Sequence, residues 1–149
     1  MLTEARRSAA VSHDHPEGIK GAQATALAIH HARTGASRGT IRDRIEAMFG
    51  YDLRRCIAEI RPHYAFDVFC QGNVPEAILA FLESDSYEGA VRNAISLGGD
   101  ADTLACICGG IAEAYYDGVP AAFVDLAETT LTADLLEVVR AFRTRFGLG

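Results

Sequence analysis

Lysine and long apolar segments are scarce in this chain, and both absences restrict the partners that it can have. Lys20 is the only lysine, so no polybasic lysine run exists. Fourteen basic residues against 20 acidic ones give a net charge of −6. This balance argues against nucleic acid or an anionic membrane surface as the main partner.

Membrane-spanning and exported proteins need apolar runs that this sequence does not contain. The longest uncharged apolar stretch, from Leu104 to Ala112, is far shorter than the roughly 18 residues of a membrane span. The segment MLTEARRSAAVSHDHPEG lacks the apolar core of a signal peptide. We therefore expect a cytoplasmic protein with no membrane partner, in which the cysteines are reduced and buried. The cysteines are Cys56, Cys70, Cys106 and Cys108.

Strand-like alternation is also missing, and apolar residues recur with helical spacing along most of the chain. The clearest stripe should be buried and contains Leu104, Ile107, Cys108, Ile111, Ala112 and Tyr115. The same pattern recurs near the C-terminus, where Thr132 is the expected N-cap of a helix with Leu135, Val138, Val139, Phe142 and Phe146. The sequence predicts an all-α fold and a single domain over residues 1–149.

Prolines, glycines and capping residues predict where the other helices begin and end. Pro16 should open a helix that runs to Arg33, and Pro75 should lie in the first turn of another helix. Two short helices are predicted over 41–49 and 53–60, and a further helix should be capped near Ser84 or Asp85. Breaks are expected at 34–37, 50–52, 71–73 and 117–120. Small residues over 21–28 and 105–112 mark two helices that should pack closely at the centre of the bundle.

The segment from Leu97 to Thr103 carries the first group of residues suited to chemistry. Its paired glycines permit a tight turn, and two carboxylates and a hydroxyl follow at the start of the apolar helix. Such oxygens are the ligands that Mg²⁺ or Mn²⁺ prefers. A purely structural alternative makes Asp100 the N-cap, places Asp102 near the positive end of the helix and points Thr103 inward. Spacing alone leaves both interpretations open.

The second group is the segment from Ser12 to Gly18, with His13 and His15 just before a helix. Imidazole is the ligand and proton carrier that works near neutral pH. The structural alternative is that one histidine caps the helix while Glu17 interacts with its dipole. The other three histidines, His30, His31 and His63, are predicted to be structural.

These two segments resemble the C-terminal half of the ADP-ribosylglycohydrolase family, which includes the dinitrogenase reductase-activating glycohydrolases. The resemblance extends from about Ser8 to Pro120. It is carried by HPEGIKGAQA and by GGDADT followed by a helix of small residues that ends in AEAYY. It implies an all-α orthogonal helical bundle that holds two divalent cations, Mg²⁺ or Mn²⁺. It also implies hydrolysis of a bond between ADP-ribose and a protein side chain or a small molecule.

The resemblance further assigns roles to individual residues. Asp100, Asp102 and Thr103 match metal ligands of the family, and the two aspartates are the candidate catalytic residues. We expect Asp102 to bridge both metals because of its central place in the motif. His13 matches a histidine that lines the ADP-ribose cleft.

Family members are considerably longer than this chain, and a Thr-Asp-Asp motif in their N-terminal half supplies further metal ligands. No Thr-Asp-Asp occurs here, so we expect a bundle truncated at the N-terminus with half of the site. The chain is then a hydrolase completed by a second, N-terminal polypeptide, an ADP-ribose- or metal-binding module without turnover, or a structural remnant. An apolar face left by missing helices predicts self-association or a completing partner. Tyr64, Phe66 and Asn73 are candidates for the acceptor end of the cleft or, alternatively, core and turn residues.

Overall fold

A computed structural model describes residues 1–66 and 69–147. Contacts divide the chain into two compact units, residues 1–118 and residues 119–149. Every regular element within the described ranges is an α-helix, which confirms the predicted all-α fold. The single domain over residues 1–149 stays a prediction.

The first unit contains seven helices among the residues that the structure describes. They are α1 (Leu2–Ala9), α2 (Pro16–Arg33), α3 (Arg38–Phe49), α4 (Ile57–Ile60), α5 (Cys70–Leu82), α6 (Tyr87–Ser96) and α7 (Ala101–Tyr115). The second unit contains α8 (Ala121–Thr130) and α9 (Ala133–Phe146). None of the described helices is both long and apolar enough to cross a bilayer.

Helices α2, α5 and α7 pack against one another and form the centre of the first unit. Ala24 and Ala28 on α2 are fully buried, and a Cβ added at Gly110 on α7 would lie 3.8 Å from Ile29 Cδ1. Small side chains allow this close approach of the two helices, which confirms the predicted central position of both. The apolar stripe of α7 is also confirmed, since most of its members are buried.

The three central helices run in the same direction and begin at the same end of the unit. In the early turns, a Cβ added at Gly21 on α2 would lie 3.0 Å from Val74 Cγ2 on α5. In the late turns, the rings of Phe81 on α5 and Tyr115 on α7 are 5.2 Å apart between centroids. The contact of α2 with α7 described above also joins two late turns. The candidate site residues before and within the first turns are therefore brought to one end of the unit.

The start of α5 differs from the prediction. The helix begins at Cys70, so Pro75 lies inside it rather than in its first turn, and no break occurs at 71–73. The backbone amides of Gly72 and Asn73 both donate to the carbonyl of Phe69, at 3.1 and 3.2 Å. These two bonds form a turn of helix upstream of the proline, which the sequence pattern did not reveal.

The cap of α6 also differs from the prediction. Ser86 is the N-cap, and its hydroxyl accepts a hydrogen bond from the amide of Gly89 at 3.0 Å. Ser84 is buried, and its hydroxyl donates to the carbonyl of Phe81 at 2.6 Å. The cap predicted near Ser84 or Asp85 is Ser86, the residue after Asp85, and Ser84 itself does not cap α6 because its hydroxyl is bonded to the end of α5.

Two helices, α1 and α8, have no counterpart in the prediction, and α4 is shorter than the predicted helix over 53–60. Neither α1 nor α8 contains a buried residue. Neither segment was identified from apolar spacing, which is the main sequence signal for a helix.

The apolar face of α9 in the second unit is exposed, although the helix begins after Thr132 as predicted. Phe142 and Phe146 are 55% and 60% exposed, and their rings contact each other. Arg140 joins α9 to α8 through an ion pair with Glu128 at 3.0 Å. The spacing therefore predicted the helix correctly but not the burial of its stripe.

The four cysteines are free thiols, and their burial differs from one to another. Cys108 is buried, donates to the carbonyl of Ala90 at 3.3 Å, and has its pKa raised to about 12 by desolvation. Cys106 is exposed, since it lies on the opposite side of α7. The prediction that the cysteines are buried therefore holds for Cys108 alone, because Cys56 and Cys70 are half-buried and Cys106 is exposed.

Candidate functional site

The start of α7 is formed by a glycine turn, which comprises Gly98, Gly99 and the N-cap Asp100. Both glycines adopt left-handed backbone conformations, with φ of +76° and +61°. A Cβ added at Gly99 would lie 2.9 Å from Tyr64 Cε1 and 3.2 Å from the carbonyl oxygen of Ala65. Nothing lies within 4 Å of a Cβ added at Gly98. Position 99 therefore requires glycine for both its backbone angle and its packing, and position 98 for its backbone angle alone.

This difference predicts unequal effects of two alanine substitutions. Gly98→Ala should cost roughly 1 kcal/mol of folding free energy, from the left-handed backbone. Gly99→Ala should cost roughly 1–3 kcal/mol more, because its methyl group must displace the segment at Tyr64. Urea unfolding of the two variants at equal m-value measures the difference. An equal loss of unfolding free energy in the two variants would show that the segment at Tyr64 does not pack tightly against the glycine turn.

Asp100 and Asp102 interact with each other at the start of α7. Asp100 is the N-cap residue, yet its side chain makes no capping hydrogen bond to the helix. A hydrogen bond from the Asp100 carboxyl group lowers the pKa of Asp102, and bonds from backbone amides lower it further. One of these amides is that of Thr103, which donates to Asp102 Oδ1 at 3.0 Å. The structural alternative therefore holds for the position of Asp100 as N-cap, although its side chain makes no cap bond. It is wrong for Thr103, which is exposed.

The start of α9 offers a direct comparison with the start of α7. Asp134 is the second residue of α9, as Asp102 is of α7, and both are exposed. The pKa of Asp134 is lowered by a hydrogen bond from the N-cap Thr132 and by backbone amides. A neutral hydroxyl in α9 thus occupies the place of the Asp100 carboxyl in α7. Because the Asp100 side chain makes no capping hydrogen bond, helix capping does not account for its carboxyl group.

The donor atoms of this pair fit a hard divalent cation in their chemistry. Two carboxylates and the Thr103 hydroxyl are oxygen ligands of the kind that Mg²⁺ and Mn²⁺ prefer. Over residues 1–66 and 69–147, no three His, Cys, Asp or Glu side chains form a group that could hold a metal ion. A metal held by Asp100, Asp102 and Thr103 would therefore need further ligands.

His13 and His15 have different surroundings in the turn between α1 and α2. His15 is the N-cap of α2, and its Nδ1 accepts a hydrogen bond from the amide of Glu17 at 3.3 Å. His13 is exposed, and its Nδ1 lies 2.8 Å from Ser12 Oγ. A Cβ added at Gly18 would lie 2.9 Å from the His13 carbonyl oxygen, so α2 packs tightly against this turn. The capping interpretation holds for His15, and His13 keeps an exposed imidazole.

A depression of about 650 Å³ lies where this turn meets the start of α5. His13 lines one side, and Phe69, Cys70 and Gln71 line the other. Its walls thus come from residues before or within the first turns of two of the three central helices. Because α7 begins at the same end of the unit, His13 and Asp100 both lie at that end.

Tyr64 and Asn73 form a contact that the sequence did not predict. The Tyr64 hydroxyl donates a hydrogen bond to Asn73 Oδ1, and Asn73 is buried. Phe66 is 69% exposed. The alternative of a core residue therefore holds for Asn73. The pairing joins an irregular segment to a helix nine residues away, and no short sequence motif encodes such a contact.

A comparison with known families gives the site its context. The model of the ADP-ribosylglycohydrolase family matches residues 1–147. The match includes the His13 turn, the glycine turn and both units of the chain, so it extends beyond the stretch from Ser8 to Pro120 that carries the motifs. Because it covers nearly the whole sequence, the chain belongs to the ADP-ribosylglycohydrolase family, a family of hydrolases.

Proposed function

We propose that this chain acts in the hydrolysis of an ADP-ribose glycosidic bond to a protein side chain or a small molecule, with Mg²⁺ or Mn²⁺. The observation that carries the proposal is the placement of two neighbouring acids, Asp100 and Asp102, at the start of α7 directly after two glycines in left-handed conformations, in a chain of this family. In the reaction, the bond between the anomeric carbon and the acceptor atom breaks, and a water oxygen takes the acceptor's place. The acceptor leaves with a proton.

The two aspartates would act on the charge that develops during this cleavage. Departure of the acceptor leaves positive, oxocarbenium-like charge on the ribose, which nearby carboxylates stabilise. Asp100, Asp102 and the Thr103 hydroxyl would hold the cation. When bound, a divalent cation supplies positive charge at the ribose hydroxyls and at the attacking water.

His13 would contact the ADP-ribose beside this pair. Its Nδ1 is occupied by Ser12 Oγ, which fixes the ring and leaves Nε2 for a ligand. The depression of about 650 Å³ that it lines lies within the 300–1,000 Å³ range typical of small-molecule sites.

Calorimetric titration of ADP-ribose into the purified chain tests the proposal directly. With Mg²⁺ present we expect saturable heat, and with EDTA we expect the affinity to fall by tenfold or more, since the cation links the acids to the ligand. Mn²⁺ should restore the heat after removal of EDTA. Equal affinity with and without the cation would exclude the metal-assisted mechanism, and no heat in either condition would exclude ADP-ribose as a ligand of this chain.

A second candidate function is an ADP-ribose-binding module without turnover. It is favoured by the lack of a three-ligand metal group within the described parts of the chain. Free ADP-ribose released from arginine-linked and serine-linked ADP-ribosyl peptides separates the two functions. Binding without release supports the module, whereas release supports the hydrolase.

The exposed face of α9 leads to a proposal about the partner, which is a second copy of this chain. Acidic Asp134 lies in the first turn of α9, and basic Arg143 and Arg145 lie in the last turn. Two α9 helices packed antiparallel would therefore bring opposite charges together around their apolar faces.

This pairing predicts a dimer that a single charge disrupts. Light scattering after gel filtration should give twice the mass of 16.0 kDa at micromolar concentrations. Val138→Glu on the apolar face should yield monomers, because it places two buried like charges in the interface. Glu137→Gln on the same helix is the control and should remain dimeric. A monomeric wild type would contradict the second copy and leave a different, completing polypeptide as the occupant.

A further inference from the structure

A strap of residues 56–66 runs from the end of α5 to the glycine turn, held by side-chain contacts along its length. It begins with the single turn of α4 and continues without regular structure beyond Tyr64. At its start, Glu83 Oε1 accepts a hydrogen bond from the amide of Ile57 at 3.0 Å. The Glu83 carboxylate thereby fixes the strap to the end of α5.

The middle of the strap is tied to the helix that precedes the glycine turn. Arg61 donates from Nε and from a terminal guanidinium nitrogen to Ser96 Oγ, at 3.1 and 2.9 Å. Ser96 is the last residue of α6 and lies two positions before Gly98. The strap is therefore anchored immediately upstream of the turn that carries the two acids.

The end of the strap contacts the turn itself. The Tyr64 ring lies against Gly99, where even an added Cβ would come within 2.9 Å of Tyr64 Cε1. The hydroxyl of the same ring donates to Asn73 Oδ1, which is buried in α5. One side chain thus connects the start of α5 to the glycine turn.

Backbone bonds give the turn little rigidity of its own. The amide of Gly98 donates to the Ile95 carbonyl at 3.0 Å, and the amide of Leu104 donates to the Asp100 carbonyl at 3.0 Å. The N-cap Asp100 has a non-helical ψ of 63°. Because the two preceding glycines adopt left-handed conformations, the orientation of Asp100 depends on the side chains that pack against these glycines.

We propose that Tyr64 is a positioning residue, whose hydrogen bond to Asn73 holds the glycine turn so that Asp100 and Asp102 face their ligand together. The ring supports the turn from one side, and the Arg61–Ser96 bonds hold the preceding helix end. Freeing the ring increases local opening at the start of α7 without unfolding the unit. The assignment of the two acids to the ligand rests on the proposed function, whereas the support of the turn by Tyr64 does not.

Hydrogen exchange of backbone amides tests the support directly, with Tyr64→Phe as the variant. This change keeps the ring and removes only the hydroxyl. We expect about fivefold faster exchange for the amides of Gly98, Thr103 and Leu104, measured without metal. The matched control is Tyr116→Phe, because the Tyr116 hydroxyl donates to the Ser84 carbonyl at 2.9 Å at the opposite end of α7.

The two variants give opposite patterns if the proposal is correct. Tyr116→Phe should leave the three amides at the start of α7 within twofold of the wild type. A Tyr64→Phe variant with unchanged exchange, or a Tyr116→Phe variant with an equal increase, would overturn the positioning role. Arg61→Met, at an exposed site, provides a second variant that should loosen the same amides if Tyr64→Phe does not fold.

A metal titration separates this inference from the proposed function. Tyr64→Phe should weaken Mg²⁺ or Mn²⁺ binding about fivefold while the circular dichroism spectrum and Tm stay close to the wild type. If the wild-type chain binds neither cation, the metal-assisted function fails, and the exchange data still decide whether Tyr64 holds the turn. If the cation affinity is unchanged although exchange increases, Tyr64 supports the turn but does not position the acids.

Discussion

Asp102→Asn is expected to lower Mg²⁺-dependent ADP-ribose binding, and turnover where it is measured, by at least the roughly 10–100-fold that loss of an outer-shell metal partner costs. The amide keeps the size of the side chain and loses the negative charge that a cation requires. Isothermal titration with Mg²⁺ gives the affinity, and release of free ADP-ribose gives the turnover.

Asp134→Asn is the matched control for this variant. Asp134 has the same position in α9, the same exposure and the same kind of capping contacts as Asp102. Loss of a helix-end carboxylate alone should therefore affect both variants similarly in thermal unfolding. Only Asp102→Asn should lose ligand affinity, and equal affinity in the two variants would rule out Asp102 as a metal ligand.

Phe81→Ala should destabilise the first unit by about 3–5 kcal/mol, the range for removal of a large buried ring. Phe81 is completely buried in α5. Its ring meets those of Tyr115 and Tyr116 on α7, at 5.2 and 6.4 Å between centroids. Alanine would leave a cavity between the two central helices. Urea unfolding followed by circular dichroism measures the loss.

Phe142→Ala is the corresponding control, because its ring is 55% exposed on α9. Measured at a concentration where the chain is monomeric, its effect should stay within about 0.5 kcal/mol. A loss at Phe142 comparable to that at Phe81 would mean that the second unit has a packed core. A small loss at Phe81 would contradict the central position of α5.

The sequence predicted the helices whose apolar faces are buried in the first unit. Helix α2 begins at Pro16 and ends at Arg33 as predicted. Its proline and its small residues are local sequence signals that do not depend on distant contacts. The stripe around Cys108 was equally reliable. The long exposed stripe of α9 shows the limit of this signal, since spacing identifies a helix and not the surface that covers it.

Errors arose where distant residues compete for a local role. Serine is a preferred N-cap residue, but the Ser84 hydroxyl is instead bonded to the Phe81 carbonyl and to the Tyr116 hydroxyl, which lies 32 residues away. In the candidate site, Asp100, Asp102 and His13 stay predictions that their local motifs suggested, whereas the contact of Tyr64 with Gly99 depends on the packing of the strap. No local pattern contains that information.

The common direction of α2, α5 and α7 has an electrostatic consequence. Each helix carries about half a positive elementary charge at its N-terminal end, and three such ends lie together. Their combined field offsets part of the repulsion between the acids of the glycine turn, and it would favour the diphosphate of the proposed ligand. In a protein with a net charge of −6, the proposed dianionic ligand would thus be attracted through backbone amides rather than through lysine.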